Sequence, residues 1–367
     1  MKLSFYNAKK IKQTSAQYNI VWGEKGTGKS YSVKAECIAD AVKDPTRHKF
    51  IVLRRWAQDI STIRDCEDYF IDPNFDISKI TKGKYNALKV KGSARIIYGA
   101  NKDENGNLTI GEELGRFCAL STSEHYASKL RQGYSNIIFE EFQSRGAYLL
   151  NEVNALMVFV STAFGYESGR VWLLGNAVSP ICPYYSDWGL SKIVNNQKQG
   201  TIETITHTWV DGLGETHKTK IAVERTAEYG AKTNMIFGKQ SKIVSGGKYE
   251  SADCPHLPES RHHYKLLYSL VYQYNEHKFL LEYLLSKSGL PLWFVSPKTS
   301  DFKGGRIISN LHVDTPLWTQ SFTPLTEAER KMFSAINKGR ICYANNDTGA
   351  NFLQCYRQSG RERGLMI

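Results

Sequence analysis

The stretch QYNIVWGEKGTGKSYSVKAE, residues 17–36, constrains this chain more than any other. An apolar run stops at Gly23, four residues follow, and Gly28, Lys29 and Ser30 open a segment with helix-compatible spacing. Glycines at 23, 26 and 28 let the backbone turn tightly enough for successive N–H groups to face one anion, beside the positive end of a helix. A lysine at 29 brings a point charge to the outer phosphate oxygens, and the Ser30 hydroxyl is a ligand for Mg²⁺. The spacing predicts a strand–loop–helix cradle for ATP, built from Gly23, Glu24, Lys25, Gly26, Thr27, Gly28, Lys29, Ser30 and Tyr31.

A second motif narrows the chemistry. NIIFEEF (136–142) reads as an apolar strand ending in two glutamates. In motor ATPases the first such carboxylate anchors the metal and the second orients and polarises the attacking water. Glu140 is therefore the expected Mg²⁺ residue and Glu141 the expected catalytic base. Glu140 stands where aspartate is usual and is one methylene longer, so the strand must recede or a water must bridge to the metal. VWLLGNAVS (171–179) reads as a further strand whose tip, Asn176, can touch the outer phosphate.

Strand-like runs at 18–22, 50–55, 94–100, 116–121, 136–140 and 171–176 alternate with helix-like segments at 29–44 and 148–164, a pattern that predicts a parallel sheet covered by helices. The polar NKDENGN (101–107) has turn chemistry, which makes 94–100 and 116–121 neighbours. The expected fold class is α/β: a P-loop domain over 1–195 with an extra strand between the cradle strand and the acidic strand (the catalytic-glutamate branch), a linker or small subdomain over 196–256, and a further α/β domain over 257–367. At 367 residues the chain is long enough for two buried cores.

The net charge of +12 points towards a polyanion. The run KITKGKYNALKVKGSAR (79–95) holds six basic residues and no acid. If 87–91 is a strand, Lys89 and Lys91 share a face. Lys82, Lys84, Lys89 and Lys91 are candidate DNA-binding residues, with Arg54 and Arg55 at a strand end where ligands of α/β sheets usually sit. No apolar run is long enough to span a bilayer, and the N-terminal residues lack a signal-like stretch, so a cytoplasmic protein with no membrane partner is expected. The seven scattered cysteines, with no C-x-x-C, predict reduced core thiols, and CPHLPESRHH (254–263) lacks the second cysteine of a zinc site.

The order of words SFYN (4–7), GEKGTGKSY (23–31), FIVLRR (50–55), IIFEEF (137–142), NEVNAL (151–156) and NAVS (176–179) resembles the DNA-packaging ATPases of small phi29-type tailed phages, relatives of the large terminases. The resemblance covers 1–185 well and is looser over 227–244 and 330–345. It implies ATP hydrolysis coupled to translocation of double-stranded DNA into a procapsid, in the host cytoplasm. It also implies a homo-oligomeric ring of five subunits, docking on the portal and a packaging RNA as partner. A basic residue from the neighbouring subunit would complete each site: Arg170 in TAFGYESGRVW (162–172) is the candidate, with Lys129, Arg131 and Arg145 as alternatives. Phe5, Tyr6 and Asn7 are candidates to flank the adenine, with core packing as the alternative. Contacts with DNA should go to phosphates, since a packaging motor must accept any sequence.

Large terminases carry an RNase-H-like nuclease after the motor, needing about three clustered carboxylates for two metals. Here 266–274 contains no acid, 292–299 offers Ser296, and YANNDTGAN (343–351) offers only Asp347. The expectation is an RNase-H-like domain without nuclease activity. An active terminase nuclease and a small-molecule P-loop kinase are the alternatives, the second disfavoured by the glutamate pair and the basic excess.

Overall fold

The computed structural model describes residues 5–63, 69–70, 75–126, 130, 133–144, 146, 148–165, 167–227, 253–298 and 305–365. The chain forms two compact units, one from Met1–Ser144, Asn151–Val178 and Ser191–Lys248, the other from Arg145–Leu150, Ser179–Leu190 and Tyr249–Ile367.

The first unit is built on nine strands: β1 (Tyr18–Gly23), β2 (Lys49–Arg54), β3 (Ala87–Lys91), β4 (Ile96–Lys102), β5 (Leu108–Ala119), β6 (Tyr134–Glu140), β7 (Arg170–Asn176), β8 (Thr201–Val210) and β9 (Thr216–Arg225). They lie in the order β3-β4-β5-β2-β6-β7-β1-β9-β8. The six from β5 to β9 run parallel, and antiparallel pairings β3–β4–β5 and β8–β9 close the two edges. Every residue of β1 is buried, as continuous apolar runs must be when both faces of a parallel strand are covered. The helix Lys29–Lys43 turns Val33, Cys37, Ile38 and Ala41 inward at helical spacing and so covers the sheet beside β1.

The strand separating β1 from the acidic strand β6 is β7, which follows β6 in the chain; 50–55 and 94–119 lie beyond β6 instead. The register sets Gly23 beside Asn176 and Glu140 beside Leu174, so the carboxyl ends of β1, β7 and β6 form one rim. The expectation of a linker or small subdomain over 196–256 is corrected for one part of that span. Its part at 201–225 forms β8 and β9, and β9 pairs directly with the cradle strand β1. Residues 228–252 lie outside the described set. Alternating Thr with Ile, His and Trp suits an edge hairpin, which is why this piece reads as polar although it completes the sheet.

The second unit holds six strands, β10 (Lys265–Tyr274), β11 (His277–Leu285), β12 (Pro291–Pro297), β13 (Arg306–Ser309), β14 (Trp318–Gln320) and β15 (Ile341–Tyr343), in the order β14-β13-β10-β11-β12-β15. β10, β11 and β12 form an antiparallel meander, and β13 and β14 extend it in parallel, the RNase-H-like order. Its core joins Tyr272, Leu281, Trp293 and Val295 to Phe352 and Tyr356 of the helix Asn346–Glu362. Asp347 lies in the first turn of that helix. No described helix is long and apolar enough to cross a membrane.

Candidate nucleotide site

The loop between β1 and the helix Lys29–Lys43 carries glycines at φ +145° (Gly23), +79° (Gly26) and +88° (Gly28). Gly23 is required twice over: its backbone is left-handed, and a Cβ there would sit 2.2 Å from the Thr226 hydroxyl oxygen. Thr226 comes from the end of β9, and its amide donates to the Trp22 carbonyl at 2.9 Å. The same strand ends tie down the loop's flank, with Trp22 donating to Gln197 at 2.9 Å and Gln199 donating to Glu24 at 3.3 Å. Nothing in the local sequence of 196–227 signals this contact; only the pairing of β9 with β1 creates it.

Lys29 is buried, its ammonium donating to the carbonyls of Glu24 and Gly23 and to the Thr27 hydroxyl. Burial pulls its pKa down to about 8, with Glu24 partly opposing. Thr27 also donates to the Glu24 carbonyl at 3.2 Å, while Lys25 and Gly26 are exposed at the crest. Ser30 is half-buried in the first helical turn, and Tyr31 meets Phe75 edge-on at 5.0 Å. Of the candidates for the base, Tyr6 is core: its amide donates to the Thr27 carbonyl at 3.0 Å and its hydroxyl to buried Glu224 at 2.7 Å. Phe5 is 55% exposed beside Gly28 and can offer a ring face.

The glutamate pair splits into two environments. Glu140 is buried, with Lys34 at 3.0 Å from Oε1, and with Arg54 at 3.4 Å and the Tyr69 hydroxyl on Oε2. Burial pushes its carboxyl up, but Lys34, Tyr69 and Arg54 outweigh that and hold it below the ordinary range, so it is ionised. Burial lowers the pKa of Lys34 in turn, and its ammonium lies 3.7 Å from the Tyr69 ring centre. Glu141, one residue on, has a side chain 67% exposed and a left-handed backbone at φ +55°. Such a conformation is uncommon outside glycine, and it swings this carboxylate off the strand and out over the rim. Arg54 Nη2 meets it at 2.9 Å. Asn176 is half-buried at the tip of β7, where the next amide, of Ala177, donates to the Gly23 carbonyl at 3.0 Å. The cradle, both glutamates and Asn176 thus converge on one rim.

The basic candidates divide. Arg54 is engaged by both glutamates with its side chain 19% exposed, whereas Arg55 is buried against Glu152 at 2.7 Å and has no surface to offer a duplex. Burial thus contradicts the expectation of Arg55 as a DNA-binding residue, since a strand end at the ligand rim is where a site positions its own charges. Lys82 and Lys91 are exposed, Lys89 is half-buried on the same face of β3 as Lys91, and Lys84 pairs with Glu112 at 2.5 Å. Arg170 begins β7, at the opposite end from Asn176, with its guanidinium 5.8 Å from the Trp172 ring. Lys129, Arg131 and Arg145 lie outside the described residues.

Among the described residues, one group of three metal-type side chains lies within 4.8 Å: Asp211, Glu215 and His217, at the turn of the β8–β9 hairpin. Sequence reasoning did not single these out. Asp211 binds His217 at 2.8 Å and accepts from the amides of Leu213 and Glu215, which is the work of a tight turn.

The chain is 32% identical over 188 residues to a DNA packaging protein of Bacillus phage B103, covering 49% of this chain and 50% of that one. It is 30% identical over 200 residues to the DNA packaging protein of Bacillus phage phi29, covering 53% of each. The alignment thus spans about half the length of the curated relatives it matches. In fold the chain is similar to the Phi-28 gp11 DNA packaging motor, with a TM-score of 0.53 at 14% identity over 100% of both chains. It is equally similar to the bacteriophage Phi-29 viral genome packaging motor assembly, with a TM-score of 0.53 at 21% identity over 97% of this chain and 99% of that one. Residues 1–234, which hold the whole rim from Gly23 to Asn176, match the podovirus DNA encapsidation protein (Gp16) family, and the chain belongs to that family.

Proposed function

We propose that this chain is an ATP-hydrolysing motor subunit that drives double-stranded DNA into a procapsid. The observation that carries the reading is the placement of Glu141: an exposed carboxylate on a left-handed backbone, at the tip of a strand separated from the phosphate cradle by the strand ending in Asn176. A base poised over the rim suits activation of water, whereas a kinase must present an acceptor there instead.

The residues suit the substrate and its metal. Backbone amides of a glycine-rich loop, a helix N-terminus and the Lys29 ammonium form a donor set for a triphosphate. Ser30 and ionised Glu140 are oxygen ligands of the kind Mg²⁺ takes, and because both Glu140 oxygens already accept hydrogen bonds, contact through water fits best. When bound, the metal would neutralise charge on the phosphate oxygens. Glu141 takes the proton of the attacking water, Lys29 stabilises the outer phosphate, and Asn176 contacts it from the neighbouring strand.

Arg170 acts only on a neighbour in this reading. Six strand steps at about 3.3 Å separate it from Asn176, roughly 20 Å from its own rim. That geometry supports a ring in which Arg170 of one subunit faces the next subunit's site; five subunits, the portal and a packaging RNA are the assembly proposed. Lys82, Lys89 and Lys91 on the β3 side are the proposed phosphate contacts. The second unit is proposed to serve docking or DNA contact without nuclease chemistry.

The test is ATP hydrolysis with and without double-stranded DNA, comparing wild type with Glu141→Gln. DNA-stimulated turnover, lost about a hundredfold or more in a variant that still binds ATP, is expected. Hydrolysis indifferent to both DNA and the substitution would overturn the reading.

A further inference from the structure

The residue that follows Arg54 does something the rim chemistry above does not use. Arg55 is 5% exposed and Glu152 is 2% exposed. The guanidinium grips the carboxylate with two bonds, Nε to Oε2 at 2.7 Å and Nη2 to Oε1 at 3.0 Å. It also donates to two backbone carbonyls, that of Glu141 from Nη1 at 3.1 Å and that of Phe142 from Nη2 at 2.6 Å. Those carbonyls belong to the turn that swings Glu141 out of the sheet, where φ is +55°. Beyond it, the Phe142 ring is packed so closely on Gly175 that a Cβ there would lie 2.6 Å from the ring. Phe142 also returns an amide to the Leu174 carbonyl at 3.3 Å. Glu152 is the first residue of the helix Glu152–Phe164, which leads through a short turn into β7 and Asn176.

We propose that Arg55 and Glu152 are positioning residues for the catalytic carboxylate: the buried fork fixes the left-handed turn at Glu141. The inference rests on the reading of Glu141 as the base of ATP hydrolysis. An uncommon backbone conformation persists only where its surroundings over-determine it, and here a guanidinium holds two successive carbonyls while its own orientation is fixed by a bidentate carboxylate. Lysine at 55 would keep the charge and lose the fork. The four bonds given above all lead to the turn or join the pair itself, so it should act on turnover more than on binding.

Breaking a buried pair on one side risks unfolding, so the decisive variant removes both charges together. Arg55→Met with Glu152→Met keeps side-chain volume and, as neutral replacements of buried pairs generally do, should fold. Melting temperature, affinity for a fluorescent ATP analogue and kcat are measured in the full chain for wild type, this double variant, Glu152→Gln, and each combined with Glu141→Gln. The expected result is a double variant that melts within a few degrees of wild type, binds the analogue within threefold and loses tenfold or more in kcat. Adding Glu141→Gln should then cost far less than it does in wild type, because a displaced base has little left to lose. A folded double variant with wild-type kcat, or losses that multiply fully with Glu141→Gln, would overturn the proposal. A wild-type chain that hydrolyses no ATP would instead remove the functional reading beneath it.

Discussion

Arg54 stands between the two glutamates, with Nη2 2.9 Å from Glu141 Oε2 and Nη1 3.4 Å from Glu140 Oε2. One guanidinium therefore spans the ionised carboxylate assigned to the metal and the carboxylate assigned to water. Glu140 keeps Lys34 and Tyr69 if Arg54 is removed, but Glu141 has no other ion pair among those described. Arg54→Ala is predicted to leave ATP affinity near wild type while DNA stimulation of hydrolysis falls towards unity. Parallel titrations of turnover with DNA, for wild type and variant, check this; an unchanged stimulation ratio would refute it.

If Lys29 is the phosphate contact proposed, nucleotide binding should depend on pH. Burial depresses its pKa to about 8, so the cationic form required by phosphate is intact below that value and lost as pH rises through it. We predict that ATP affinity is flat towards pH 7 and weakens above pH 8 by up to about tenfold per unit, since each unit of pH then adds the work of protonation. Lys29→Ala should bind more weakly with no such slope. Calorimetric binding from about pH 7 to 9.5 distinguishes the two, and a wild-type affinity independent of pH would count against the assignment.

The two loop glycines should differ in thermal stability. Gly26 is left-handed with open space around its missing Cβ, so Gly26→Ala meets only the backbone penalty of roughly 1–2 kcal/mol. Gly23→Ala adds a collision with Thr226, and overpacking of this kind costs about 1–3 kcal/mol more. Melting curves should rank Gly23→Ala below Gly26→Ala. Pairing Gly23→Ala with Thr226→Ser would leave the clash in place, whereas Thr226→Ala should recover part of the loss.

Removing Lys89 and Lys91 together by alanine substitution is predicted to weaken DNA binding equally for unrelated sequences. The slope of log affinity against log salt should fall by roughly 0.9 for each phosphate that the variant no longer neutralises. Arg55 is buried and lacks a surface for such binding, so the variant Arg55→Met with Glu152→Met should leave that slope unchanged. A sequence-dependent loss, or none, would move the DNA-contacting surface elsewhere.

The cradle, the acidic strand and the strand tip are legible in the residues alone, because each is a local signal. Glycines at fixed offsets dictate a turn, a run of apolar residues dictates a buried strand, and polar residues at its end dictate a rim. The residue pattern also places Lys89 and Lys91 on one face of β3, since strand period is a property of the backbone. The roles of the arginines come from the tertiary fold. Arg54 and Arg55 look alike in FIVLRR, yet successive side chains at a strand end point to different neighbours, one to Glu141 and the other to Glu152, 97 positions away. The fold also decided that 201–225 belongs to the nine-stranded sheet, because a parallel pairing of β9 with β1 leaves no trace in either segment's pattern. Long-range pairing and buried charge depend on what the fold brings opposite, which neither composition nor periodicity encodes.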